Sequence, residues 1–114
     1  MIKVSRANPL KHYTWGESCE GWNFVELPGM SVKEELMPAG TSEQLHYHQS
    51  AQQFFYILTG KAVFEVEDEK VEVNAMEGIH IPAGLKHRII NNTQAELRFI
   101  LSSVPSTLND RYFP

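Results

Sequence analysis

An all-β sandwich or barrel is predicted by three features of this sequence. Apolar and polar residues alternate with a period of two along nearly every segment, Gly, Pro and Asn break the chain at short intervals, and no long helical periodicity is visible. At 114 residues the chain fits one domain, residues 1–114, and a chain of this size buries roughly two thirds of the surface it exposes when unfolded.

The elements follow in order. The start, Met1 to Pro9, has no apolar stretch long enough for a signal peptide. Trp15-Gly-Glu-Ser-Cys-Glu-Gly-Trp22 is dense in turn residues, so about residues 1–25 are expected to pack as an irregular flap or an edge strand. Met30, Val32, Glu34 and Leu36 alternate with Ser31, Lys33 and Glu35 in a strand that ends at Pro38-Ala-Gly40. A second strand carries His46 and His48. Gln53 to Thr59, aromatic and β-branched, forms the next and stops at Gly60-Lys61.

Lys61 to Glu67 and Lys70 to Val73 read as a hairpin around Asp68-Glu69, with Ala62, Phe64 and Val66 inward and Glu65 and Glu67 outward. Ile79-His-Ile81 leads into Pro82-Ala-Gly84, His87 to Asn91 forms a strand, and Glu96 to Ser102 forms another after the Asn91-Asn-Thr-Gln turn. The tail, about residues 104–114, is expected to lie over the barrel surface or a partner subunit.

Composition narrows the function classes. Apolar residues at 42% and charged residues at 21% describe an ordinary globular chain, and a net charge of −4 without a Lys/Arg cluster offers no footprint to nucleic acid or an anionic membrane. The single cysteine, Cys19, cannot form an internal disulfide, so a cytoplasmic protein is expected. Cys19 reads either as a thiol near the barrel mouth or, more simply, as a small buried hydrophobe.

The chemistry lies in the histidines. On a strand, residues two apart share a face, so His46 and His48 point one way and can grip one ion, which a third imidazole would complete. The spacing is Gly40, five residues, His46, one residue, His48, four residues, Gln53, six residues, Gly60; later come Pro82, one residue, Gly84, two residues, His87, three residues, Asn91. These two runs resemble the signature motifs of the cupin family, whose fold is a double-stranded β-helix, or jelly-roll, barrel without free strand edges.

The resemblance implies a divalent transition metal, Fe, Mn, Ni, Cu or Zn, held by His46, His48 and His87, with Gln53 at the family's glutamate position. Met76, where the motif has glycine, is a second departure. An amide oxygen is a neutral, weaker donor than a carboxylate, so Gln53 lowers metal affinity and leaves the ion's charge uncompensated; it acts as a direct ligand or by holding a bound water. His80, between two isoleucines, reads as a surface side chain, and Tyr47 faces away from the metal.

Residues alternating with the ligands are expected to line the interior as a substrate pocket: Gln44, Phe55, Ile57 and Ile89, with Phe64 and Phe99 closing its floor. Such a pocket is mostly apolar, and no Arg or Lys is seen to converge on it. The resemblance then implies a metal-dependent enzyme on a small organic molecule, with dioxygenase or isomerase type chemistry. The alternative is a noncatalytic cup that binds or senses a small molecule. A homodimer is expected, with the tryptophans, Tyr112 and Phe113 as its apolar surface.

Overall fold

Most of the period-two segments become strands in the computed structural model, which covers residues 1–114. They are β1 (Lys11–Trp15), β2 (Cys19–Leu27), β3 (Met30–Met37), β4 (Gln52–Thr59), β5 (Lys61–Val66), β6 (Glu69–Asn74), β7 (Gly78–Ile81), β8 (His87–Ile90) and β9 (Leu97–Val104). No helix is long and apolar enough to cross a membrane.

The strands divide into a six-stranded antiparallel sheet, β1-β2-β3-β9-β4-β7, and a three-stranded one, β6-β5-β8. Thr41 to His48 extends the smaller sheet, for Ser42 bridges to Ile90 and His46 to His87. The histidine segment is therefore extended but is not the continuous strand that alternation predicts. Its bonds are isolated bridges, and Tyr47 bridges on the other side to Tyr112 of the tail.

Two other expectations resolve. Of the irregular flap or edge strand expected near the start, the second forms: β1 pairs with β2 in a regular hairpin at the edge of the larger sheet, and Tyr13 lies across Gly21, where a Cβ atom would sit 2.1 Å from the ring. Only glycine allows that approach. The β5–β6 turn is Glu67-Asp68, one residue earlier than read, because Val66 pairs with Glu69 and Glu67 takes the positive φ, 54°, that a glycine would have marked. Trp22 is buried and is not free surface, whereas Tyr112, stacked on Tyr47, and Phe113 remain exposed.

The core fills the space between the sheets. Phe55 packs on Phe64 and Phe99 at centroid distances of 5.0 and 5.8 Å, with Ile57, Ile89 and Leu97 beside them. Asn91, fully buried at the end of β8, donates to the carbonyls of Met37, Pro38 and Ala95 and accepts from Thr93, tying the smaller sheet to the end of β3. Gly60 turns β4 into β5 at φ 89°, with the Glu96 carbonyl 2.6 Å from where a Cβ would stand.

Met76 adopts φ 69° at the position where the motif has glycine, although its side chain is exposed and gains no packing. A left-handed non-glycine residue costs about 1–2 kcal/mol, and glycine returns about 0.5–1 kcal/mol of that through its freer unfolded chain. Met76→Gly should therefore raise stability by about 0.5–1 kcal/mol in urea denaturation, and a lower midpoint would mean that Met76 is not strained.

Candidate metal centre

Cross-strand pairing assembles the site. The His46 amide donates to the His87 carbonyl at 3.1 Å and the His87 amide to the His46 carbonyl at 2.8 Å, so the residues face each other as a hydrogen-bonded antiparallel pair with side chains on one face. His48, two residues on, joins them. The ring centroids are 4.4 Å (His46 to His87), 4.9 Å (His46 to His48) and 5.5 Å (His48 to His87) apart, all three residues are at most 3% exposed, and one nitrogen of each lies within 4.8 Å of the others.

Backbone carbonyls fix the protons on these rings. Nδ1 of His46 meets the Gln44 carbonyl at 2.8 Å, that of His87 the Leu85 carbonyl at 2.8 Å, and that of His48 the Asp110 carbonyl at 2.5 Å. A carbonyl only accepts, so each Nδ1 carries the hydrogen and each Nε2 keeps its lone pair. Nε2 of His48 is buried without any partner.

Gln53 completes the set. Its Nε2 donates to Ser103 Oγ at 3.0 Å, which turns Oε1 towards Nε2 of His87 at 3.1 Å, so two electron-pair donors face each other. A cation between them satisfies both, as it does the lone pair on His48. These residues fit a divalent metal ion: His46, His48 and His87 as nitrogen donors, with the Gln53 oxygen beside them.

Electrostatics favour the neutral rings that a metal needs. Burial, reinforced by the charge of Arg111, pushes the imidazole of His46 down to about 3 and that of His87 down to about 4, and it lowers His48 as well. Burial acts oppositely on Glu43, raising its carboxyl to about 8 although the Ile89 amide donates to it and Arg111 lies 3.7 Å away. Glu35 is also raised, by burial first, and accepts a hydrogen bond from the Tyr13 hydroxyl at 2.5 Å.

The cavity beside the histidines, about 60 Å³, is not the apolar cup expected. Phe55 and Leu101 are its only apolar walls; Lys33, Glu35, Glu43 and Arg111 form much of the rest. Gln44 is exposed and does not line this cavity; its carbonyl holds the His46 ring, and the residue lines the neighbouring outer cavity. Ile57, Phe64, Ile89 and Phe99 pack as solid core beneath and do not line the cavity.

Lys33 and Arg111 also overturn the expectation that no cation converges here. Lys33 and Glu35 share the inward face of β3 because Lys33 pairs with Leu101 and Glu35 with Phe99, both inward on β9. Their alternation in the sequence carried that signal. Arg111 carried none, since nothing in the sequence says where the tail docks.

The tail is held by Asp110, whose carboxylate accepts hydrogen bonds from the amides of Gln49, Ser50 and Ala51. Among the other residues singled out, His80 is exposed and bonded to Gln52, His12 stacks on Trp22 away from the site, and Cys19 is buried with its thiol pushed up by that burial. Cys19 is a small buried hydrophobe within the core.

The family profile described as Cupin domain matches residues 33–103, most of the chain and both histidine runs. The chain belongs to the cupin family. An uncharacterized protein of Methanocaldococcus jannaschii is 32% identical over 83 residues, covering 73% of this chain and 66% of that one. The oxalate-binding protein of Thermotoga maritima is 31% identical over 64 residues, 56% of this chain and 53% of its own length. The chain thus spans between half and two thirds of these relatives. Among solved structures, an RmlC-like cupin from Shewanella frigidimarina superposes with a TM-score of 0.82 over 96% of both chains at 13% identity, which establishes the jelly-roll fold.

Two predictions follow from this cupin's site. Asp110→Ala leaves three amides of the loop after His48 without their acceptor, so it should cost about 2–3 kcal/mol of stability and weaken metal binding about tenfold or more by freeing the carbonyl that orients His48; unchanged metal titration would disconnect the tail from the site.

The metal-free protein should also have a two-sided pH profile. Imidazoles held below 6.5 lose their contribution as pH falls from about 6.5 towards 3–4, because only the unfolded chain takes up the protons. Glu43, held at about 8 instead of 4.5, lowers stability as pH rises between those values, because only the unfolded chain releases its proton. Denaturant midpoints of Glu43→Gln should therefore lose the decline on the alkaline side; an unaltered slope would place that carboxyl in the ordinary range.

Proposed function

We propose that this cupin is a metal-dependent enzyme acting on a small organic molecule at the His46, His48 and His87 centre, with dioxygenase or isomerase type chemistry. The observation that carries the reading is the commitment of all three Nδ1 hydrogens to carbonyls, which leaves three lone pairs with no other use. A divalent ion bound there supplies Lewis acidity for polarising a substrate oxygen or, if redox-active, a centre for oxygen chemistry.

The chain's own groups supply the rest. Phe55 and Leu101 give the small cavity an apolar wall, and Arg111 and Lys33 offer positive charge to a developing oxyanion. Glu43, protonated at neutral pH, can hold a proton for transfer, a role that Gln53 cannot fill.

One observation favours a second reading, a noncatalytic cup. Room of about 60 Å³ suits an ion with a ligand of few atoms, and a relative that shares 31% identity is named for binding oxalate. The two readings divide on turnover.

Elemental analysis of the purified protein should find Fe, Mn, Ni, Cu or Zn near one ion per chain, lost in His87→Ala and increased in affinity in Gln53→Glu, where a carboxylate offsets the ion's charge. Metal-loaded protein should convert dicarbonyl or hydroxy-acid compounds that His87→Ala leaves unchanged. Metal binding with a retained and unaltered ligand would favour the cup, and equal metal content in wild type and His87→Ala would remove both readings.

A further inference from the structure

Two strand edges of this barrel stay open. β6 pairs only with β5 and β7 only with β4, and no backbone hydrogen bond outside the ladders reaches residues 69–73 or 78–81. A groove of about 470 Å³ lies between these edges, with Val66, Val71, Ile79 and Leu85 as its apolar lining. Val71 pairs across the ladder with the fully buried Phe64, so it stands on the core-facing side of β6, yet it is 40% exposed. Core-facing apolar surface beside an unpaired edge is a template for one more strand.

The remaining walls set the charge of that strand. Glu67, Asp68 and Glu69 also line the groove, all three are exposed and none is in an ion pair, while Lys70 beside them is turned to Glu65 at 3.7 Å. A fitting segment therefore has aliphatic side chains at every second position and a cation between them.

The chain carries such a segment itself. In Met1-Ile-Lys-Val-Ser-Arg6, extended backbone puts Ile2 and Val4 on one face and leaves the long side chain of Lys3 free to reach carboxylates at the groove's margin. Residues 1–4 make no backbone hydrogen bond, Ile2 is 78% exposed and Lys3 has no ion pair. Arg6, by contrast, is anchored: it lies 4.2 Å from the Trp22 ring centroid and 3.3 Å from the Glu34 carboxylate.

That anchor decides whose groove is filled. Register carries the row Trp22, Glu34, Ile100, Tyr56, Gly78 across the outer face of the larger sheet, so Arg6 is held three strands, about 14 Å, from the β7 edge of its own chain. With residues 1–4 in the groove, only Ser5 is left to span that gap, and one residue covers about 3.5 Å. The chain's own groove is out of reach.

We propose that residues 1–4 of a second copy of this chain add as a short strand to the β6 edge, with Ile2 and Val4 over Val71 and Leu85 and Lys3 beside Glu67, Asp68 and Glu69. The exchange is reciprocal, each copy giving one segment and receiving one, which closes a two-fold dimer.

The full chain should sediment as a dimer at micromolar concentration. Lys3→Glu should weaken dimerisation about tenfold, as should Asp68→Lys combined with Glu69→Lys, and joining the two sets in one chain should restore it, so a folding defect in either variant cannot imitate the result. Ile2→Cys protein mixed with Val71→Cys protein and mildly oxidised should yield a disulfide between positions 2 and 71 by peptide mapping, a bond that can only join two chains. The buried Cys19 stays out of this reaction. A monomer at every concentration, a dimer indifferent to both charge reversals, or a dimer without the 2–71 bond in the mixture would overturn the inference. So would a chain bearing both cysteines that closes the bond only within itself.

Discussion

Two backbone hydrogen bonds between His46 and His87 hold the rest of this protein's design together. They join a loop that is not a regular strand to the edge of the smaller sheet, and they set two imidazoles side by side that lie far apart in the chain. His48 joins them through the alternation of extended backbone, and its orientation depends in turn on the docked tail. Without that pairing the three rings have no common target.

Nothing charged is spent on the donor set. The histidines are neutral because they are buried and because Arg111 repels a proton from them, and Gln53 brings an oxygen without a charge. Ionisable groups stand beside them, where Lys33, Glu35, Glu43 and Arg111 line both the small cavity at the histidines and a neighbouring one.

The tail makes the site a property of the whole chain. Asp110 anchors it to the amides after His48, its own carbonyl orients the His48 ring, and Arg111 beside it reaches the cavity. A segment that looked like covering over the barrel thus contributes to the histidine cluster and to the cavity walls. The hairpin β1–β2 does the same on the other side, presenting Tyr13 to Glu35 across Gly21.

Local periodicity and the motif spacings were enough to determine the all-β class, most strands from Met30 onward to within a few residues, and the three histidines that cluster, His46, His48 and His87, because alternation and turn chemistry act over neighbouring residues. The rest is a matter of which distant segments meet. That Gln44 does not line the histidine cavity, that Ile57, Phe64, Ile89 and Phe99 are core and not lining, and that Lys33, Glu43 and Arg111 surround the histidines were decided by cross-strand register and by tail docking. Both depend on long-range hydrogen bonds, and a linear pattern does not encode which strand a residue will face across the barrel.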